Sequence, residues 1–169
     1  MYNKSDPVKD IREAGPVDAA TISSLIRESH LDVAVRFGLT PLNCPRHPSN
    51  CTQEWIHKDL ARGVDYFILY HDERPAGCVA MERAAPETCY LERLSVLPSY
   101  RQTGVGRALV NIVLKKAEAL GLHEVAIGII ALNTELKAWY EKIGFVEGET
   151  KEIPHLPFRV TFMHCGLQK

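Results

Sequence analysis

The order of apolar and polar residues predicts a strand and then a helix at the start of the chain. The run from Val8 to Glu13 is a candidate strand, and the Gly15-Pro16 pair ends it. Asp18 is placed to cap a helix, because its carboxylate can accept the free N–H groups of the first turn. Four apolar residues follow with helical spacing, Ala19, Ile22, Leu25 and Ile26.

Beyond residue 52, helices alternate with strands. Apolar spacing predicts helices over 55–61, 107–120 and 134–143, and a glycine follows each of them. Runs rich in β-branched and aromatic residues predict strands over 64–70, 76–82, 88–97, 124–130, 145–149 and 158–164. The first two of these strands form a hairpin, and the last two form an antiparallel pair. This order predicts an α/β (α+β) domain, with helices on both faces of one sheet, and residues 1–169 are expected to form that single domain.

Composition and charge exclude several classes of protein. The chain has 169 residues, of which 46% are hydrophobic, a value typical of a globular domain. Twenty basic residues balance 21 acidic ones, so the general electrostatic footprint of a nucleic-acid binder is missing. The polar start, Met1 to Pro7, predicts no signal peptide, and no apolar stretch is long enough to span a membrane. With five cysteines, an odd number, we expect free thiols and a cytoplasmic location.

The chemically informative segment joins the strand 88–97 to the helix 107–120. Two glycines, Gly104 and Gly106, lie at the mouth of that helix, where unpaired N–H groups and the helix dipole favour an anion. Arg101 and Arg107 bracket the turn and suit phosphate oxygens. A tight strand-to-helix turn with two solvated arginines explains the same residues equally well.

Two familiar glycine motifs are excluded here. A phosphate loop of the nucleotide-hydrolase type needs Gly-Lys-Ser/Thr, whereas Gly106 is followed by Arg107 and Ala108. A dinucleotide fingerprint needs a third glycine where this chain has Leu109. Residues 101–106, Arg-Gln-Thr-Gly-Val-Gly, instead match the pattern Gln/Arg-x-x-Gly-x-Gly/Ala.

That pattern, between a strand and a long helix, resembles the central signature of the GNAT superfamily of acyl-CoA-dependent N-acetyltransferases. The strand residues 90–100 resemble the family strand that precedes it. The segment 133–145 resembles the second signature, in which an asparagine begins a helix and Tyr-Glu-Lys-x-Gly-Phe closes it. The resemblance covers about residues 64–149 and implies the GNAT fold, a mixed, mostly antiparallel sheet with a central splayed parallel strand pair.

The resemblance implies acetyl-CoA as the acetyl donor. Loop amides from Gln102 to Arg107 would hold its pyrophosphate, and backbone near Leu94 and Val96 would pair with pantetheine in the gap between strands 88–97 and 124–130. The N–H group of Leu94 would contact the thioester carbonyl. The implied cofactor-binding residues are Leu94, Ser95, Val96, Arg101, Gln102, Thr103, Gly104, Val105, Gly106, Arg107, Asn133 and Tyr140.

Attack of an amine on a thioester requires a base and benefits from an acid. Strict alternation in the strand 88–97 places Tyr90, Glu92, Leu94 and Val96 on one side, and Leu91, Arg93, Ser95 and Leu97 on the other. Glu92, on the substrate-facing side, is the candidate base, and Glu82 is a second candidate. A salt bridge to a neighbouring arginine, or plain exposure to solvent, would explain Glu92 as well.

Tyr140 follows Asn133 by seven residues, where the resembled family often places the group that protonates the leaving thiolate. Tyr140 is therefore the candidate general acid, and packing on Phe145 is its structural alternative. Asn133 would cap the helix, and the resemblance adds a hydrogen bond to the pantetheine arm.

A cluster of cysteine and histidine in the proline-rich segment 38–52 remains ambiguous. Cys44, His47 and Cys51 have a spacing that superficially resembles a zinc site, with His57 or His30 as a fourth ligand. Prolines interrupt the cluster and no second Cys-x-x-Cys pair exists, so we expect no metal. The segment 31–52 is expected to shape an acceptor pocket.

We therefore expect an N-acetyltransferase that moves an acetyl group from acetyl-CoA to a primary amine of a small molecule by direct attack. A protein or peptide N-acetyltransferase, and a non-catalytic acyl-CoA-binding sensor, stay open as alternatives. The expected partners include no nucleic acid and no membrane, and family members allow for a homodimer.

Overall fold

A computed structural model of the protein describes residues 9–168. Residues 1–8 and 169 lie outside the described part, and with them the polar start and Val8 of the first predicted strand. The strands are β1 (Lys9–Ala14), β2 (Asp65–His71), β3 (Arg74–Ala85), β4 (Thr88–Val96), β5 (Glu124–Ile130), β6 (Val146–Glu152) and β7 (Arg159–Gly166). The helices are α1 (Ala19–Arg36), α2 (Gln53–Ala61), α3 (Val105–Ala119) and α4 (Thr134–Ile143).

The seven strands form one sheet in the order β1-β2-β3-β4-β5-β7-β6. Every neighbouring pair is antiparallel except β4 and β5, which run parallel. Their pairing is short, because only Thr88–Tyr90 and Glu124–Ala126 are in register before the two strands diverge. The structure therefore confirms the predicted mixed, mostly antiparallel sheet with a splayed parallel pair at its centre.

Helices cover both faces of this sheet. Strand β2 shows the division, because Phe67 and Leu69 pack with α3 whereas Tyr66 and Ile68 pack with α1 and α2. The first side is called the α3 face, and it also holds Tyr140 of α4. The second side is called the α1 face. Since central strands are buried on both sides, their sequences are nearly continuous apolar runs, as in β2 and β5.

A third, smaller apolar cluster closes one end of the molecule. Leu39 and Cys44, from the segment after α1, are buried against Ala34 and pack with four further apolar side chains. Those partners are Phe37, Ile130 at the end of β5, and Leu156 and Phe158 in the connection between β6 and β7. The segment 37–52 therefore spans from α1 towards the C-terminal end of β5 and the start of β7.

Two expectations from the sequence are wrong in detail. Helix α1 continues to Arg36, so the irregular segment begins at Phe37 and not at Leu31. Asp18 does not cap the first turn of α1 with its side chain. Its carboxylate instead accepts a hydrogen bond of 2.9 Å from the N–H of Gly15, because the chain enters α1 through a short 3₁₀ turn.

None of the helices between residues 9 and 168 combines the length and the apolar character needed to cross a membrane.

Gly77 of β3 lies where α3 and β4 pack closely against this strand. A Cβ atom built there would clash with the carbonyl oxygen of Ser95 and would lie 3.1 Å from Leu109. Because the first contact is with backbone, we expect Gly77→Ala to lower the free energy of unfolding by about 3 kcal/mol. Urea denaturation measures the change. Gly15→Ala, with nothing within 4 Å of the new Cβ, is the control and should change it by less than about 0.5 kcal/mol. Equal effects at both positions would contradict the close packing.

Candidate active site

The site is built around the gap between β4 and β5. Beyond Tyr90 and Ala126 the two strands no longer pair, although β4 stays paired with β3 and β5 stays paired with β7. The facing edges of both strands therefore carry backbone N–H and C=O groups without a ladder partner. A ligand with amide groups of its own can pair with such edges.

A β-bulge in β4 lies beside the gap. Cys78 pairs with Ser95 and Ala80 pairs with Glu92, so Arg93 and Leu94 together oppose the single residue Val79. A bulge bends its strand and leaves one residue outside the ladder. Strand β4 therefore turns away from β5 where their pairing stops.

The bulge overturns the strict alternation predicted for this strand. Leu94 and Val96 pack on the α3 face together with Leu91. Arg93 instead reaches Asp59 of α2 on the α1 face, where Glu92 lies as well. The extra residue shifts the side-chain alternation by one position beyond Glu92, so Leu94 and Val96 do not share a side with it. The hydroxyl of Ser95 donates to the Arg93 carbonyl at 2.9 Å and so crosses the bulge.

The loop before α3 presents a row of free donors. The N–H groups of residues 102–107 donate no hydrogen bond of normal geometry to any other residue between 9 and 168. Gln102 and Gly104 have φ angles of +60° and +84°, which turn the loop into the helix, and Val105 is buried and anchors it. These N–H groups together with the positive end of the α3 dipole are suited to bind an anion.

Gly106 is required for close packing behind this loop. A Cβ atom at this position would lie 3.2 Å from the Trp139 ring and 3.5 Å from Val96. The first turn of α3 therefore lies directly against both α4 and β4. Thr103 is held from both sides, since its hydroxyl donates to the Tyr100 carbonyl and its own carbonyl accepts from the Lys9 ammonium group.

The structure directs the Arg101 guanidinium towards α1. Its guanidinium donates to the Asp32 carboxylate at 2.6 Å and to the Ser29 carbonyl at 2.8 Å, both on α1. The hydrogen bond from Arg101 lowers the pKa of Asp32. Arg101 therefore connects the loop to α1, because its guanidinium forms an ion pair with the Asp32 carboxylate. Arg107, by contrast, is exposed in the first turn of α3.

Glu92 and Glu82 lie on the α1 face in different environments. Glu82 forms an ion pair with Arg62, which also contacts Asp59 at 3.0 Å. The carboxylate of Glu92 makes no hydrogen bond or ion pair within residues 9–168. Burial raises the pKa of Glu92, and the neighbouring Glu82 carboxylate raises it further. The structure thus places the salt bridge on Glu82 and leaves Glu92 unpaired.

Tyr140 lies on the opposite side of the sheet from Glu92. It is 4% exposed, and its ring packs edge-on against Trp139 and Phe145 with centroids 5.0 and 5.2 Å away. Burial raises the pKa of Tyr140, so its hydroxyl stays protonated at neutral pH. Asn133 caps α4 as predicted, since its side-chain oxygen accepts from the Leu136 N–H at 3.3 Å.

The sequence analysis missed a buried polar network next to the bulge. Asp59, 6% exposed, accepts from Arg93 and from the Tyr66 hydroxyl, each at 2.5 Å. Arg93 also donates to the Tyr66 oxygen at 2.7 Å. One signal for it was present, because Asp59 falls three residues after Ile56 on the buried stripe of α2. A charged residue at such a position needs a partner.

The cysteine–histidine cluster is used in packing. Cys44 and Cys51 are buried, and burial raises the pKa of both thiols. His47 Nδ1 faces the Ser49 hydroxyl at 2.8 Å, and burial followed by the charge of His30 lowers the pKa of His47 to about 4. Within the described range 9–168, no group of three or more histidine, cysteine, aspartate or glutamate side chains is arranged to hold a metal ion.

Together these features suit an elongated ligand. An anionic part would bind at the 102–107 amides, and an amide-bearing chain would enter the gap and pair with the free edges of β4 and β5. A reactive end in the gap would then have access to both faces of the sheet, with Tyr140 on one and Glu92 on the other.

Solved structures share this architecture across the whole chain. The ribosomal-protein-S18-alanine N-acetyltransferase from Escherichia coli superposes with a TM-score of 0.76 over 96% of both chains at 16% identity. The PaiA N-acetyltransferase from Thermoplasma acidophilum, in complex with coenzyme A, superposes with a TM-score of 0.80 at 18% identity. That match covers 94% of this chain and 99% of the other. Identities this low show a common fold.

Sequence comparison adds a relative and a family. Over 92 residues the chain is 29% identical to a mycothiol acetyltransferase from Corynebacterium glutamicum, which is 54% of this chain and 32% of that relative. The chain thus spans about a third of the relative's length. The model of the "Acetyltransferase (GNAT) family" matches residues 34–145, well over half of the chain and including α3, α4 and the gap. The chain belongs to the GNAT acetyltransferase family, which confirms the resemblance read from its two signatures.

Proposed function

We propose that this protein is an N-acetyltransferase that transfers the acetyl group of acetyl-CoA to a primary amine. The observation that carries the proposal is the row of unpaired N–H groups at residues 102–107, next to the gap between β4 and β5. Family membership and the solved relative in complex with coenzyme A support the same donor. When bound, acetyl-CoA would supply the acetyl group as a thioester, which is activated for attack by an amine.

The chain offers matching groups for each part of acetyl-CoA. The loop amides from Gln102 to Arg107 would hold the diphosphate, and Arg107 and the nearby Lys9 add positive charge. Backbone of Leu94, Ser95 and Val96 would pair with the pantetheine amides along the free edge of β4. The Leu94 N–H, at the bulge, would donate to the thioester carbonyl, where negative charge develops.

We propose Glu92 as the general base. A free alkylamine is mostly protonated at neutral pH, so a proton has to leave before the amine attacks. A carboxylate with a raised pKa and no ion pair suits this task, and Glu92 has both properties. Glu82 is the weaker candidate, because Arg62 neutralises it.

Tyr140 is the proposed general acid, on the other side of the gap. Its hydroxyl makes no hydrogen bond to another residue in the described range, so it is free to donate to the departing sulfur. Asn133, buried at the start of α4, would hold the pantetheine arm beside it. The base and the acid would thus act from opposite faces of the sheet.

The proposed acceptor is a small-molecule amine. Segment 37–52 packs against Ile130, the last residue of β5, and against the connection between β6 and β7, so it lies beside the strand that borders the gap and would enclose an acceptor there. An enclosed pocket suits a small acceptor better than an extended peptide. The names of similar proteins include both a small-molecule and a protein acceptor. One is a mycothiol acetyltransferase, and another is a ribosomal-protein-S18-alanine N-acetyltransferase.

Substitution at Gly104 tests the anion site. Asn and Asp both tolerate the positive φ of Gly104 and both cap helices, so Gly104→Asn and Gly104→Asp should have similar stability in urea. Only the aspartate places a negative charge beside the diphosphate. Calorimetric titration with acetyl-CoA should therefore show binding at least about tenfold weaker for Gly104→Asp than for Gly104→Asn. Equal affinities would place the diphosphate elsewhere.

The pH dependence of the rate tests the base. If Glu92 must be ionised, kcat/KM falls as the pH drops through its raised pKa, and Glu92→Gln loses about a hundredfold in rate. Glu82→Gln removes a carboxylate that raises the pKa of Glu92, so it should move the acidic limb to lower pH while activity is retained. Titration of the acceptor amine does not respond to Glu82. An acidic limb that stays in place in Glu82→Gln would remove Glu92 as the base.

The acceptor class is tested with a panel in which release of free CoA thiol is measured. Amino acids, a polyamine, an aminosugar and a peptide with an N-terminal alanine are compared at equal concentration. We expect turnover with one or more of the small amines to exceed that with the peptide by at least about tenfold in kcat/KM. Preference for the peptide would identify a protein acetyltransferase. Binding of acetyl-CoA without turnover of any amine would support the sensor alternative.

A further inference from the structure

We propose that the buried network of Asp59, Tyr66 and Arg93 is a positioning device that holds the β4 bulge in the conformation that the reaction uses. The proposal rests on the proposed function for its catalytic part, because the bulge matters to catalysis only if it faces the acetyl thioester. Asp59 and Tyr66 belong to α2 and β2, which lie outside both sequence signatures.

The bulge holds a residue in an unfavourable conformation. Arg93 has a φ of +51°, and in the described chain only Asp72, Glu73 and Gln102 share a positive φ among non-glycine residues. Asp72 and Glu73 form the turn of the β2–β3 hairpin, and Gln102 lies in the loop before α3. Arg93 is therefore the one described case inside a strand. Left-handed backbone is costly for residues with a Cβ atom and persists only where surrounding contacts hold it.

Contacts hold Arg93 at both its ends. One nitrogen of the guanidinium lies 2.5 Å from the Asp59 carboxylate and 2.7 Å from the Tyr66 oxygen. The Tyr66 hydroxyl donates to the same carboxylate, and the Ser95 hydroxyl donates to the Arg93 carbonyl. Because Asp59 and Tyr66 are buried on rigid elements, they fix where the guanidinium lies. The guanidinium in turn restrains the backbone at the bulge.

Direct contact of Arg93 with the acceptor is the main alternative. The side chain is 17% exposed, and its guanidinium lies 5.7 Å from the centre of the Trp55 ring. Its charge is already matched by a carboxylate that is more buried than itself. An arginine held in this way serves as an anchor, whereas an acceptor-binding arginine would keep donors directed into the pocket.

Two substitutions at Arg93 separate the effect of its backbone conformation from the effect of its charge. Arg93→Gly and Arg93→Ala both remove the guanidinium, but only glycine adopts the positive φ without cost. At an ordinary strand position glycine is the less stable of the two. We therefore expect the reverse order at position 93, with Arg93→Gly at least as stable in urea as Arg93→Ala.

Arg12 provides a matched control in β1. It is also a strand arginine with an aspartate partner, Asp10, and a tyrosine partner, Tyr70, but its φ is not positive. Arg12→Gly should be less stable than Arg12→Ala. If position 93 shows the same order as position 12, the left-handed bulge is wrong and the proposal fails.

Acetyl-CoA binding and turnover test the positioning role. Arg93→Ala should bind acetyl-CoA about tenfold more weakly than the wild type and lose more in kcat than in KM, because the Leu94 contact strengthens in the transition state. Arg93→Gly should recover most of both losses, to within about threefold of the wild type. Tyr66→Phe, which keeps the ring and loses the hydroxyl, should show a smaller loss in the same direction.

The outcomes separate this inference from the proposed function. Equal losses in Arg93→Gly and Arg93→Ala would mean that the guanidinium itself contacts a substrate, and would overturn the inference. No loss of binding or turnover in either variant would also overturn it, because the network would then be only structural. A wild-type protein that fails to bind acetyl-CoA would overturn the proposed function, while the stability order at positions 93 and 12 would still decide whether the network holds the bulge.

Discussion

The early end of pairing between β4 and β5 is the constraint on which the site depends. A central pair of strands normally satisfies its backbone groups along its whole length, but here only three residues of each strand are paired. The opposite edges remain bonded to β3 and β7, so the sheet stays continuous while its centre opens. The exposed edges must be satisfied by water or by a ligand. A pantetheine chain has amide groups that match them, which explains why a deep side-chain pocket is not needed for the donor.

The opening places chemistry on both faces of one sheet. The α1 face carries the carboxylates of Asp59, Glu82 and Glu92, and two arginines are shared among the first two. This division leaves Glu92 alone in a partly desolvated position, and its pKa rises as a result. The same ion pairs therefore stabilise the fold locally and leave one carboxylate available to accept a proton.

Helix α1 and the loop before α3 are mechanically connected. Arg101 lies inside the family motif, yet its guanidinium bonds to Asp32 and to the Ser29 carbonyl of α1. The helix leads directly into segment 37–52, which packs on the ends of β5 and β7. The loop before α3 and segment 37–52 are thus joined through one side chain and one helix, so the position of one constrains the position of the other.

The sequence by itself determined most of the elements and the glycine-containing loop before α3, because both depend on local patterns. Helical and strand periodicity, the glycines at 104 and 106 and the capping asparagine at 133 all act within a few residues of themselves, and the structure places each of them as expected. The sequence also identified the family. Only the tertiary structure decided which side chains share a face beyond Glu92, since one extra residue at Arg93 reverses the alternation. It also decided the partners of Arg101, Glu82 and Arg93. Those partners lie 69, 20 and 34 residues away along the chain, and a charge finds its partner through packing rather than through spacing.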